Sequence, residues 1–319
     1  MKRLWEVREL STLVILALEV AFFTWYLWPE GTRSHPFFNA ANGLLILKYS
    51  SIYGIAAVGA AVVIISGGID LAPGAVIALS GVVAGGLFVE RAWSLAASAS
   101  AGLAVGLIVG FLSAALVVLV RLPPFIATLG VMGIARGAAF ILTEGRYFDV
   151  SSALPTGWRL FGMPPEWMAP VLMVVLALVF QILMTEFQWG RAVFALGGNE
   201  TAAIYSGVSV GFVQASVYVI AGVLAATSGV VLVIVQGQGK ADLATGYELD
   251  IIASAVVGGA SLAGGRGSVV GAVLGTLIFG VLRNALPQIP GATFYDRLIV
   301  GSVVIVIVVM DQLLRARRR

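Results

Sequence analysis

The sequence predicts an all-α integral membrane protein of about ten transmembrane helices, and three observations carry that prediction. Of its 319 residues 60% are hydrophobic and 11% charged, with a mean hydropathy of +1.01, whereas a soluble domain is roughly 45–50% apolar and about 25% charged. A water-soluble fold of this size cannot hide so much apolar surface. The apolar residues are also gathered into windows close to the ~20 residues that cross a hydrocarbon core of ~30 Å. Finally, these windows are separated by glycine, proline or isolated charges, so that residues 1–319 read as a single transmembrane domain.

The windows fall at about 11–28, 42–66, 71–89, 95–120, 124–143, 167–186, 210–236, 248–261, 268–286 and 294–314. The first follows Met1-Lys2-Arg3 in the manner of a signal peptide. Trp25, Tyr26, Trp28 and Pro29 stand where a small-residue cleavage site would be, so it reads as a retained helix. With the N-terminus in the cytoplasm, an even number of spans returns the C-terminus to the same side. Charge agrees with this threading: Lys2, Arg3, Arg8, Arg121, Arg191, Arg266, Arg315, Arg317, Arg318 and Arg319 fall inside, against Arg33, Arg91, Arg146, Arg159, Lys240 and Arg297 outside. The net charge of +3 therefore serves orientation, not nucleic-acid binding. Two connections exceed the usual limit of ~12–15 residues, an outer one at about 144–166 and a cytoplasmic one at about 187–209, and short helices are expected in both.

Enzymatic chemistry finds little to work with. The chain has no cysteine and one histidine, His35, which removes disulfides, thiol nucleophiles, zinc pairs and a credible Ser–His arrangement. No GxxxxGK[ST] loop is present, so ATP cannot be bound and split here in that manner. No metal or cofactor site is expected in this chain.

The 39 glycines include runs at small-xxx-small spacing, Gly102, Gly106 and Gly110 or Gly267, Gly271, Gly275 and Gly280, which suit close helix packing in lipid. Intramembrane charge is sparse, and each case costs at least ~2.5–3.5 kcal/mol unless it faces protein or water. Lys48 and Arg283 lie near outer helix ends, where snorkelling accounts for them. Glu19 and Arg136 lie deeper. Downstream of Pro123-Pro124, Thr128, Met132 and Arg136 share one face of a helix, read as interior, with structural ion pairing and lining of a substrate path both open. A local echo relates Gly67-Gly68-Ile69-Asp70-Leu71-Ala72-Pro73-Gly74-Ala75-Val76 to Gly264-Gly265-Arg266-Gly267-Ser268-Val269-Val270-Gly271-Ala272-Val273, both at cytoplasmic turns. Duplication and convergent glycine-rich packing are the two readings of that echo.

Four stretches, Ser66–Gly81, Leu122–Gly137, Gly190–Val208 and Ile251–Gly275, resemble in order and spacing the ribose/xylose/galactose-type permease subunits of bacterial binding-protein-dependent ABC importers. The likeness covers nearly all the chain from about Asn42. It implies the ABC importer permease fold and alternating access in the bacterial inner membrane, among membrane lipid. The implied partners are a second permease subunit, identical or not, cytosolic ATP-binding subunits carrying ATP and Mg, and a periplasmic sugar-binding protein. Gly190–Val208 is similar to the family's coupling loop, Glu-Ala-Ala followed by Gly, with Thr201 as an inserted residue. On that likeness Arg191, Asn199, Glu200, Ala202, Ala203 and Gly207 form the ATPase-coupling set. Gly67, Gly68, Asp70, Gly74, Gly264, Gly265, Gly267 and Gly271 form the cytoplasmic turns, and Phe125, Thr128, Met132 and Arg136 the substrate path. A permease for branched-chain amino acids or nucleosides, or an ion-coupled secondary transporter using Glu19 or Arg136, are the alternative readings.

Overall fold

A computed structural model describes residues 2–28, 37–155, 157–160 and 162–295, together with Leu298, Ile299, Gly301, Ser302, Ile305, Val306 and Val309. His35, Arg33, Arg297, the remainder of the 294–314 window, the arginines at 315 and 317–319 and the side chains of Lys2, Arg3 and Arg8 lie outside the described residues. In chain order the elements are α1 (Lys2–Tyr26), α2 (Ala40–Ile65), α3 (Pro73–Val89), α4 (Leu95–Ala114, continued by a π-helical turn Ala115–Leu119) and α5 (Pro124–Thr143). There follow β1 (Tyr147–Asp149), α6 (Val150–Ala153), α7 (Pro165–Glu186), α8 (Gln188–Gly198), α9 (Glu200–Tyr205), α10 (Val210–Gln236), β2 (Gln238–Lys240), α11 (Tyr247–Val257) and α12 (Val269–Ala285).

Seven of these helices are long and apolar enough to cross a membrane, α1, α2, α4, α5, α7, α10 and α12, with α3 a shorter apolar helix among them. The all-α membrane architecture expected from the sequence is thus present. One window changes character. The apolar run 248–261 becomes α11, an 11-residue helix about 16 Å long at 1.5 Å per residue, half a membrane thickness. The chain leaves the helix at Gly258 and Gly259, and a hydropathy window does not register that stop because glycine interrupts a helix without interrupting apolarity.

The core is built around α2, which is buried on every side from Ser50 to Ile65 and is surrounded by α7, α10, α11 and α12. Such a helix reads as hydrophobic all round, as a helix buried in a bundle should. Two hydrogen bonds cross from it to its neighbours: Ser228 Oγ of α10 donates to the Ile52 carbonyl, and Tyr53 Oη donates to the Thr276 carbonyl of α12 at 3.1 Å. The glycine runs pack as expected. On α4, Gly106 and Gly110 lie against Gly222 of α10, where an added Cβ on Gly222 would come 2.9 Å from Gly110 Cα. On α12, Gly271 and Gly275 lie against the carbonyls of Gly258 and Ser254.

Polar side chains tie the bundle at both ends. At one end Gln181 Oε1 of α7 accepts from the Val269 and Val270 N–H groups at 3.1 and 3.3 Å, and Ser268 Oγ donates to Glu9 Oε1 at 2.5 Å, so α1 and α7 together complete the N-terminus of α12. Further along the bundle Asn42 and Asn284 exchange amide hydrogen bonds of 2.9 Å between α2 and α12. The connection 144–166 carries a strand as well as the short helix α6. β1 pairs antiparallel with β2, Phe148 opposite Gly239, and the Phe148 ring lies 3.1 Å from where a Cβ on Gly86 would stand. Ser151 Oγ and the Ser152 N–H both donate to Asp149, holding that exposed carboxyl below its usual range.

Arg283 does not snorkel. Its Nη2 lies 2.7 Å from Asp250 Oδ2, and Asp250 is 1% exposed. The acidic first turn of α11 starts inside the bundle, beside α12, and gives the arginine a partner closer than any headgroup.

Candidate functional site

Three segments distant in sequence meet at the end of the bundle where α2 finishes and α12 begins: the turn 66–72 after α2, the turn 258–268 before α12, and the end of α8. They meet backbone to backbone. The Gly265 N–H donates to the Ile65 carbonyl at 2.8 Å. A Cβ on Gly197 would fall onto that same carbonyl and 2.6 Å from Gly265 N. One on Gly264 would come 2.5 Å from the Gly197 carbonyl oxygen and 2.9 Å from Gly67 Cα, and one on Gly265 2.7 Å from Gly198 Cα. Gly264 and Gly265 also have φ of 78° and 70°, a region that other residues enter at a cost. The two halves of the sequence echo are therefore in direct contact, with α8 wedged against both. Gly267 completes the packing against the Ile65 side chain, and Gly68 leaves room for the buried Tyr218 hydroxyl.

Because no side chains lie between these backbones, nothing at the junction can yield by changing rotamer. A displacement of α8 toward the junction presses directly on the end of α2 and on the 258–268 turn.

Beyond the junction, α8 and α9 form the 187–209 connection, two short helices as expected. Asn199 is the N-cap of α9, its side chain accepting from the Ala202 N–H at 2.9 Å. Glu200 stands exposed in the first turn, and Gly207 follows the helix with φ of 79°. Arg191 is exposed and donates to the Glu186 carbonyl at 3.0 Å, bridging the kink between α7 and α8. The two alanines part company. Ala202 is open, while Ala203, roughly 100° further round α9, is buried against the chain's own helices. The open side also presents Ile204 and Tyr205, the latter 87% exposed. These two apolar groups were not legible as site residues, since only the helix phase shows which way they point.

On α5 the face 128–132–136 is turned toward protein. Thr128 is fully buried; its hydroxyl oxygen accepts from the Leu71 N–H at 3.1 Å and is 2.9 Å from the Pro124 carbonyl, to which it donates. Thr128 thus fastens α5 to the first echo turn, where Asp70 Oδ1 in turn accepts from the Ala72 N–H at 2.9 Å. Met132 is half-buried in the core. Arg136 Nη1 donates to the carbonyls of Ala241 and Leu243 at 2.6 and 2.7 Å. Phe125 is open, and so are Gly130, Gly133 and Gly137, none with an atom within 4 Å of an added Cβ.

The partner of Arg136, the stretch between β2 and α11, went unseen in the sequence. It reads as an outer loop, yet it runs alongside α3: Gly239 faces the Gly81 carbonyl, and a Cβ on Gly74 would lie 2.8 Å from the Ala244 carbonyl oxygen and against Glu248. Its signal was the shortness of the 248–261 window together with Gly237, Gly239 and Gly246 ahead of it, the mark of a discontinuous helix. Among the described residues no group of three His, Cys, Asp or Glu side chains could hold a metal ion.

A family model described as "Branched-chain amino acid transport system / permease component" matches residues 42–308. The chain is 38% identical over 283 residues to the ribose import permease protein RbsC of Escherichia coli strain K12, covering 88% of each. It is 34% identical over 311 residues to the D-allose transport system permease protein AlsC of the same strain, covering 95% of this chain and 91% of that protein. With the fructose import permease protein FrcC of Rhizobium meliloti it shares 33% over 287 residues, 88% of this chain and 80% of that protein. No solved structure was found to match.

Proposed function

The chain belongs to the branched-chain amino acid transport system / permease component family, and from that premise we propose that it is the permease subunit of an ATP-driven importer for a sugar. The observation that carries this reading is the glycine junction, because it gives the α8–α9 connection a rigid contact with two helix ends at once. A cytosolic ATP-binding subunit, holding ATP and Mg, seats on α9 through Ala202, Ile204, Tyr205 and the charged rim of Glu200 and Arg191. Asn199 and Gly207 set the limits of that short helix, and buried Ala203 holds it to the bundle. ATP-driven movement then reaches α2 and α12 through Gly197, Gly264 and Gly67. In this reading the junction end and both termini are cytoplasmic, and the chain sits in the bacterial inner membrane.

A second permease subunit lies against the open face of α5, where Gly130, Gly133 and Gly137 allow close approach. The substrate path runs between the subunits past Phe125, with Thr128, Met132 and Arg136 as the wall behind it. A periplasmic sugar-binding protein delivers cargo to the β1–β2 end. The sugar reading rests on the relatives named for ribose, D-allose and fructose. Leucine is the competitor to exclude, given the family's description.

The test is uptake by proteoliposomes holding this chain with its ATP-binding subunit and binding protein. D-ribose, D-allose or D-fructose should accumulate only with ATP on the cytosolic side. Uptake driven by an ion gradient without ATP, or of leucine in place of all three sugars, would overturn the reading.

A further inference from the structure

From Gly237 to Gly246 the chain has no helix, yet it packs along α3 and α5, helices of the apolar bundle. Gly239 packs on Gly81, the ninth residue of the 17-residue helix α3, and Ala244 packs on Gly74. Arg136, which holds Ala241 and Leu243, is the thirteenth residue of the 20-residue α5. The segment therefore descends beside α3 and hands over to α11 inside the membrane. Its two faces differ. Gly239, Ala241 and Ala244 are buried against α3 and α5, whereas Asp242 and Thr245 point away from the bundle and are exposed.

Irregular backbone at this depth is tolerated only where protein covers it or where it lines a water-filled cavity, because lipid offers its N–H and C=O groups no partner. The open face also carries a carboxylate, which lipid excludes more strongly still. The Thr245 hydroxyl donates to the Asp242 carbonyl at 2.6 Å, which fixes the turn. The Asp242 carboxylate takes no hydrogen bond from the described residues. Arg136 lies behind the same backbone, its charge acting on Glu248 first and on Asp242 second.

We propose that the face bearing Asp242 and Thr245 lines the water-filled path and is a binding station for the hydroxyl groups of a neutral, polyhydroxylated solute. The carboxylate accepts from two neighbouring hydroxyls, and the Thr245 oxygen accepts from a third. A carboxylate–hydroxyl contact of this kind orients the solute, and solute leaves readily because water replaces it at both groups. The station deepens the sugar-import reading and, for its choice of ligand, rests on it.

The experiment uses the whole importer in proteoliposomes. The chain has no cysteine, so Thr245→Cys is a single reporter. A charged, water-soluble methanethiosulfonate reagent should modify it in the ATP-free or the vanadate-trapped state. Resistance in both states overturns the proposal, since the face is then covered. Asp242→Asn should lower D-ribose, D-allose or D-fructose moved per ATP by about tenfold, the worth of one charge-assisted hydrogen bond, with binding-protein-stimulated ATP hydrolysis unchanged within about twofold. Unaltered transport per ATP, or loss of transport and hydrolysis together, overturns the station. If the wild type takes up none of the three sugars, the sugar-import reading falls with the ligand, while the labelling still decides whether the face meets water.

Discussion

Replacing Gly197 by alanine tests the junction most directly. The new methyl would stand on the Ile65 carbonyl and 2.6 Å from Gly265 N, in the middle of the 2.8 Å hydrogen bond between them. Overpacking by one methyl costs about 1–3 kcal/mol, and leaving a buried amide and carbonyl unpaired about 1–3 kcal/mol more. Alanine returns at most ~1 kcal/mol in helix propensity. The net cost is about 1–6 kcal/mol, appearing either as lost stability or as displacement of α8 from the two turns. Gly198→Ala is the matched control, because nothing lies within 4 Å of its Cβ and its backbone φ is not positive. The assay is denaturant unfolding of the purified chain in detergent, with transport per ATP measured on the reconstituted complex. Gly197→Ala should lose both stability and coupling, and Gly198→Ala should be no less stable than the wild type, gaining at most ~1 kcal/mol. Equal stability of the two variants would refute the backbone contact.

Arg136→Met should destabilise the chain by about 2–4 kcal/mol, since two carbonyls at membrane depth lose their donor. Arg136→Lys should recover most of it, because a single nitrogen makes both bonds; unfolding of the three proteins in detergent checks the order. For the Asp250–Arg283 pair the two truncations should differ. Arg283→Ala strands a carboxylate that is 1% exposed and should cost about 3–5 kcal/mol, while Asp250→Ala leaves an arginine side chain already 34% exposed and should cost less; the same unfolding assay with the double variant measures the coupling. Asn199→Ala removes the cap of α9 and should lower its local stability by about 0.5–2 kcal/mol, read as faster amide exchange at Ala202 with the transmembrane helices unaffected.

The contrast between Arg283 and Arg136 shows how far the sequence carried. Both are arginines in apolar windows, and cost per residue flags both equally. Snorkelling was a sound local reading of Arg283, and it failed because α11 begins inside the bundle and places Asp250 within 2.7 Å. The interior face of α5 was legible from the 3.6-residue period alone, and Thr128, Met132 and Arg136 do face protein. What they bind was not legible, since Leu71 and the carbonyls of Ala241 and Leu243 lie 57 to 107 residues away. Ala202 and Ala203 make the same point on a smaller scale: adjacent, identical in side chain, one exposed and one buried on one short helix.

By itself the sequence determined that this chain lives in a bilayer, that its helices pack through glycine, and that two glycine turns and a 187–209 connection are its distinctive features. Each of these depends on sums or spacings over neighbouring residues, where hydropathy and helical period suffice. Only the tertiary structure decided that the two turns touch each other and Gly197, that α11 is an 11-residue helix, and that residues 237–246 run without a helix alongside α3. The physical reason is the same in each case. A glycine is chosen for the backbone it will meet, and an irregular segment at membrane depth is held by hydrogen bonds to groups elsewhere in the chain, so neither carries its partner's identity in its own local sequence.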